Sequence, residues 1–260
     1  MTTETGTTAL VGVDVGGSGI KAALVDLANG QATGRVRVPT PQPATPDAIV
    51  STVAGLVRQF TSSGPIGCTL PAVVTKGVVH TATNIDKKWI GADATTLLSR
   101  ATERPCTVLN DADAAGIAEA RFGSARARPG RVVMVTIGTG VGTAVLNDGA
   151  LVPNAELGHI FVNRHFADVW LSDATRTALN LSWKRWSLRL DRYLAQLHEI
   201  IWPELIVIGG GIVKHADRFL DRINPPCPVR AAELGNLAGI VGAALMASEH
   251  VSSEHVTDGS

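Results

Sequence analysis

Val11-Gly12-Val13-Asp14-Val15-Gly16-Gly17-Ser18-Gly19-Ile20-Lys21 holds the pattern that decides the fold. Val11 to Val15 is a short apolar run suited to a buried strand, and it breaks on Gly16-Gly17-Ser18-Gly19. Ile20 to Val25 is apolar again, Asn29-Gly30 supplies a turn, and Arg35-Val36-Arg37-Val38 alternates as a half-exposed strand does. The order is strand, glycine loop, strand, turn, strand. A dinucleotide-binding unit or a P-loop passes from its glycines into a helix, so neither is expected.

The same order returns about 120 residues later, as an internal duplication would make it. Val132 to Ile137 is the strand, Gly138-Thr139-Gly140-Val141-Gly142 the loop, and Thr143 to Leu146 the second strand. Asn147-Asp148-Gly149 turns the chain into Leu151-Val152. Two glycine-looped hairpins predict an α/β chain of two similar lobes. The expected division gives 1–109 plus 239–260 to a smaller lobe and 110–238 to a larger one.

Between and after the copies lie the connecting elements. A Pro-rich linker, Pro39 to Pro46, precedes a helical pattern through Ile49, Val53, Leu56, Val57 and Phe60. Strands are expected around Ile66 to Val74 and Gly77 to His80, and a helix near Ala94 to Ala101. Ser182 reads as the N-cap of a helix from Trp183 to Ile201, with Trp186, Leu190, Tyr193, Leu194, Leu197 and Ile201 on its core face. Arg185, Arg189 and Arg192 fall on the other side, the ordinary place for solvated charge. Leu205 to Ile208 is a strand entering Gly209-Gly210-Gly211, and Ala238 to Ala247 a small-residue helix suited to close packing. The polar first ten residues and the tail from Ser248 are expected to fray.

Composition removes several classes. The chain has 260 residues, with 23 Lys+Arg against 23 Asp+Glu. Zero net charge argues against a nucleic-acid or anionic-membrane binder, whose affinity rests on a basic surplus. Cys68, Cys106 and Cys227 form no CxxC pair, which disfavours a disulfide framework or a structural zinc site and fits a reducing cytoplasm. The N-terminus lacks the basic and apolar regions of a signal peptide, and no apolar run approaches the roughly 20 residues that span a bilayer.

Three glycine loops each follow a buried strand, where backbone N–H groups can line up around phosphate oxygens. Asp14 sits two residues before the first, placed to hold Mg²⁺ directly or through water. A carboxylate between Val13 and Val15 is costly in a buried strand unless it has work to do. Ser18 and Thr139 add hydroxyls and Lys21 a cation. Asn110-Asp111-Ala112-Asp113 ends the apolar run Thr107-Val108-Leu109 and opens a small-residue helix to Arg121. One aspartate is expected to cap that helix and the other to serve as general base for a hydroxyl. Glu156-Leu157-Gly158-His159 offers an acceptor and an imidazole for polyol hydroxyls, with no further ligands nearby to complete a metal site.

These runs resemble the ROK family of sugar kinases, within the actin-like ATPase (ribonuclease H-like) superfamily. Val13 to Lys21 is similar to the first phosphate motif, Leu109 to Ala115 to the segment of the catalytic base, and Thr136 to Gly142 to the second phosphate motif. Glu156 to Ile160 resembles the sugar-binding motif and Gly209 to Lys214 the late glycine loop. Thr83 to Gly91, Leu181 to Trp186 and Trp202 to Gly211 are similar to the polyphosphate-using glucokinase branch found in actinobacteria.

The resemblance implies in-line transfer of a phosphoryl group from polyphosphate or ATP, with Mg²⁺, to the 6-hydroxyl of glucose. It implies Asp111 as base, and Asn84, Asn110, Glu156, His159 and Asp168 around the sugar. Asp14, Gly16, Gly17, Ser18, Gly19, Lys21, Thr136, Gly138, Thr139, Gly140, Gly209, Gly210, Gly211 and Lys214 fall to phosphate, nucleotide and metal, and a cytoplasmic homodimer is implied. A polyphosphate track would use Arg121, Arg126, Arg128, Arg131, Lys184, Arg185 and Arg189. Two departures bear on the acceptor: Phe161 stands where relatives carry an acidic residue, and Asp168 is one methylene shorter than their glutamate. They leave mannose, or a sugar-binding homologue without turnover, as alternatives. A regulator would need a DNA-binding helix-turn-helix before Asp14, in 13 residues.

Overall fold

A computed structural model describes residues 9–257, with side chains through residue 249. The first hairpin copy is β1 (Ala9–Val15), β2 (Ile20–Asp26) and β3 (Ala32–Val38), followed by α1 (Pro46–Val57) and β4 (Ile66–Leu70). A short ribbon of β5 (Val74–Thr75) and β6 (Val78–Val79) leads to α2 (Ala94–Thr102), β7 (Cys106–Asn110) and α3 (Asp111–Phe122). The second copy is β8 (Arg131–Ile137), β9 (Val141–Asn147) and β10 (Ala150–Val152). A second ribbon, β11 (Phe161–Val162) and β12 (His165–Phe166), precedes α4 (Ala167–Leu171), α5 (Asp173–Ala178) and α6 (Trp183–Ile201). The chain ends through β13 (Leu205–Gly209), α7 (Ala216–Phe219), β14 (Val229–Ala231) and α8 (Ala238–Thr257).

The chain forms two compact units, Met1–Ala114 with Leu237–Ser260, and Ala115–Asn236. Their sheets share one topology. The first runs β3-β2-β1-β4-β7 and the second β10-β9-β8-β13-β14. In each, three antiparallel strands from the hairpin copy are extended by two parallel ones.

Local sequence sets the helix starts. Thr45 caps α1 by accepting the N–H of Ala48, Pro46 occupies the first turn, and Asp47 complements the helix dipole there. Ser182 caps α6 by accepting the N–H of Arg185. One face of α6 then buries Trp186, Leu190, Tyr193, Leu194 and Leu197 against Val133, Val135, Ile206 and Ile208 of the second sheet. In the first unit, Val11, Val13, Val15 and Ile66 join Ile49, Val53, Trp89 and Leu98 in one core.

Helix α8 packs on β1 and β4 with backbone against backbone. A side-chain carbon on Gly12 would overlap the carbonyl of Ile240, and one on Gly67 the carbonyl of Ala243. Gly242 meets the carbonyl of Ala114 in the same way. No larger residue fits at these positions, so glycine is required by close approach rather than by φ.

Three expectations change. The strand expected from Ile66 to Val74 ends at Leu70, because Pro71 has no N–H to give the ladder. Ala9 and Leu10, expected to fray, already pair with Asp26 and Val25 in β1. The terminal helix runs past Ala247 to Thr257, so the tail expected to fray from Ser248 has helical backbone that far. The rest of both expected tails lies outside the described residues.

Candidate active site

Strands β1, β4 and β7 run parallel, with Asp14 opposite Thr69 and Thr69 opposite Leu109. The first glycine loop and the pair Asn110-Asp111 therefore leave the same edge of the sheet, two strands apart, or roughly 10 Å at ordinary strand spacing. The carboxyl ends of parallel strands are where open α/β sheets bind ligands.

Asp14 is held from two sides. Lys21 Nζ lies 2.9 Å from its Oδ2, and Thr69 Oγ1 donates to its Oδ1 at 2.9 Å. Gly16 N–H donates to the Gly19 carbonyl at 3.0 Å, and Thr40 Oγ1 donates to the Gly16 carbonyl at 2.5 Å. Gly17 and Ser18 are exposed at the tip, Arg37 packs over Gly19, and Asn84 borders Gly17.

Asn110 is the cap of α3, a role expected of an aspartate. Its Oδ1 accepts the N–H groups of Ala112 at 2.8 Å and Asp113 at 3.1 Å, while Nδ2 donates to the Ala72 carbonyl at 3.1 Å. An amide side chain can do both at once, and a carboxylate cannot donate. Asp111, half-buried at the first helical position, accepts the Ala112 N–H at 2.9 Å.

In the second unit β8, β13 and β14 are parallel, with Thr136 opposite Gly209. Gly138 N–H donates to the Gly140 carbonyl at 2.9 Å, Thr139 is exposed, and no atom lies within 4 Å of where a side chain on Gly138 would begin. Gly209 ends β13. Gly210 takes φ +79 against the backbone of Ile137, and Gly211 opens a 3₁₀ turn carrying exposed Lys214. Of the glycines assigned to phosphate, Gly210 alone takes a left-handed φ, so backbone freedom does not explain the first two loops.

The turn Leu157–His159 is anchored on β9. Thr143 Oγ1 donates to the Ala155 carbonyl and accepts the Leu157 N–H at 2.9 Å, and Tyr193 Oη donates to the Leu157 carbonyl at 3.4 Å. His159 Nδ1 stands 3.4 Å from Glu156 Oε2. Burial pushes the Glu156 carboxyl above the usual carboxylate range, His159 opposes this, and the nearby Asp168 charge adds to it. Asp168, in the first turn of α4, accepts the Val141 N–H at 2.6 Å.

The described residues hold no cluster of three or more His, Cys, Asp or Glu suited to a metal. Asp14 with Thr69 offers one carboxylate among oxygen donors. That suits Mg²⁺, which keeps most of its waters and takes phosphate oxygens. Arg189, expected on a solvated face, instead donates to the Trp170 carbonyl at 2.6 Å with its guanidinium 5.1 Å from that ring. Arg185 and Arg192 are exposed. Sequence reasoning missed Thr69, Thr40 and Thr143. Hydroxyls inside the apolar runs Ile66–Leu70 and Val141–Leu146 were the available signal for two of them.

Residues 10–175 match the ROK family. The chain is 45% identical over 236 residues to the polyphosphate glucokinase of Mycobacterium tuberculosis, covering 90% of this chain and 89% of that one. Among solved structures, the inorganic polyphosphate/ATP-glucomannokinase of Arthrobacter sp. strain KM superposes with a TM-score of 0.91 at 44% identity, across 94% of this chain and 100% of that one. A ROK glucokinase from Streptomyces griseus, solved with glucose and AMPPNP, gives 0.81 at 24% identity, over 93% and 99% of the two chains. The two-sheet α/β architecture is the actin-like ATPase fold of these sugar kinases.

Proposed function

The chain belongs to the ROK family, and from that membership we propose that it moves a terminal phosphoryl group from polyphosphate or ATP to the 6-hydroxyl of glucose. One observation carries this: the relatives at 44–45% identity are a polyphosphate glucokinase and a polyphosphate/ATP-glucomannokinase, matched over nine-tenths of the chain.

The residues divide by chemistry. The loop N–H groups other than those of Gly16 and Gly138, which close their own turns, receive phosphate oxygens; Lys21 and Ser18 stand beside the first loop, and Gly209–Gly211 with Lys214 take the distal phosphates or nucleoside. Asp14 would hold Mg²⁺, which would supply charge screening for the phosphoryl oxygens. Asp111 takes the proton of the attacking hydroxyl. Asn84, Glu156 and His159 orient the sugar, while Asn110 positions Asp111 by capping its helix. In-line transfer needs little else, because positioning and charge stabilisation supply most of the acceleration.

The Arthrobacter enzyme is named for both glucose and mannose, which favours mannose as a second acceptor. We assign the chain to the cytoplasm, whose reducing conditions suit the free cysteines Cys68, Cys106 and Cys227. Its partner is a second copy, through the second unit, where Phe161, Phe166, Val169, Leu188 and Trp202 are exposed. A coupled assay over a hexose panel with Mg²⁺ and either donor tests the reaction. Turnover of glucose with at least one donor is expected, and turnover with neither ends the assignment.

A further inference from the structure

Asp168 was expected to hold a sugar hydroxyl. Its hydrogen bond runs elsewhere: Oδ1 accepts the N–H of Val141 at 2.6 Å, across 27 residues of chain. Val141 is the first residue of β9, directly after the second glycine loop. The loop is shaped around this contact, since a side-chain carbon on Gly140 would run into Asp168 Oδ1. A side chain at position 140 would have to displace that carboxylate.

The other end of the loop is held by the same segment. Ala174 N–H, in α5, donates to the Gly138 carbonyl at 3.2 Å, and the loop closes on itself through Gly138 N–H and the Gly140 carbonyl. Residues 168–174 therefore bracket Gly138–Gly140 from both sides. The Val141 N–H that Asp168 occupies is one that cannot turn to a phosphate. The exposed Thr139 and the open face of Gly138 are left for it.

We infer that Asp168 is a positioning residue for the second phosphate loop and acts on the donor through that loop. This rests on the phosphotransfer assignment above. The bond is charge-assisted, and losing such a bond to the backbone moves an equilibrium about 10- to 100-fold. It needs an acceptor oxygen at this position, not a charge as such, and asparagine supplies one.

The test compares Asp168→Ala and Asp168→Asn with the unaltered protein, measuring KM for donor and for hexose separately together with kcat. In Asp168→Ala the donor KM is expected to rise about tenfold or more with kcat lowered. Asp168→Asn is expected to restore the donor KM to within about threefold. A rise in hexose KM with the donor KM unmoved overturns the inference, and so does an asparagine variant as impaired as the alanine one. Amide exchange of segment 138–141 gives a readout without turnover: Val141 is expected to lose protection in Asp168→Ala and keep it in Asp168→Asn. Unchanged protection in the alanine variant also overturns it. If the unaltered protein transfers no phosphoryl group, the phosphotransfer assignment fails while the exchange result still judges the bracket.

Discussion

Lys21 and Asp14 face each other across the first hairpin in direct register, with Nζ 2.9 Å from Oδ2. The lysine assigned to phosphate and the carboxylate assigned to the metal are thus partners of each other. Replacing Asp14 by Asn frees Lys21 and is expected to weaken Mg²⁺ binding. Activity is expected to fall about 10- to 100-fold, with the Mg²⁺ concentration for half-maximal rate displaced upward. The thermal midpoint should move little, since a partly exposed pair contributes about 0–1 kcal/mol. A large fall in stability with the Mg²⁺ dependence unchanged would make the pair structural.

Asp111 stands at the first position of α3, its helix already capped by Asn110. Asp111→Asn is expected to lower kcat about 10²- to 10⁴-fold while hexose binding by calorimetry persists. Near-full turnover in that variant removes Asp111 from the role of base.

The backbone contact between Gly67 and Ala243 has no room for a methyl group. Gly67→Ala is expected to destabilise by about 1–3 kcal/mol or more, lowering the midpoint several degrees, with hexose KM in the surviving folded fraction unchanged. An unaltered denaturation curve would mean that α8 lies farther from β4 than described.

Hexose affinity should weaken on acidification. Burial raises the Glu156 pKa, and Asp168 raises it further against the opposing effect of His159. The ionised acceptor is therefore lost as pH falls through a midpoint above the ordinary glutamate value of about 4.3. The stability linkage has the opposite sense: this group favours the fold most below its unfolded pKa, and that contribution disappears as pH rises through the folded one. His159→Ala removes the lowering partner, so the midpoint for hexose binding should shift further up. A pH profile of hexose KM in the two proteins checks both statements.

Arg121, Arg126, Arg128, Arg131, Lys184 and Arg185 are exposed and available to a polyanion, whereas Arg189 is committed to Trp170. The KM for long polyphosphate is expected to rise with salt more steeply than that for ATP. Equal slopes would leave these residues as solubilising charge.

The strands of the two hairpin copies, their glycine loops and the span of α6 were legible because each is written in adjacent residues: an apolar run, a glycine cluster, a serine before a helical period. Asp14, Asp111 and the Glu156–His159 pair stand out as candidates for the same reason. The supports do not. Thr69 reaches Asp14 across 55 residues, Asp168 reaches Val141 across 27, and Arg189 reaches Trp170 across 19. A local pattern carries no information about such distances. The identity of the α3 cap was decided by Ala72, whose carbonyl demands a donor that only the asparagine of that motif owns.

Helix α8 belongs to the unit whose other elements are all encoded before Ala115. On the ribosome, the first sheet emerges early and waits, one side uncovered, while the entire intervening unit is translated. Its native partner is made only after that unit, so the early strands are sealed late, and translation past Ala243 becomes a condition for closing the first core.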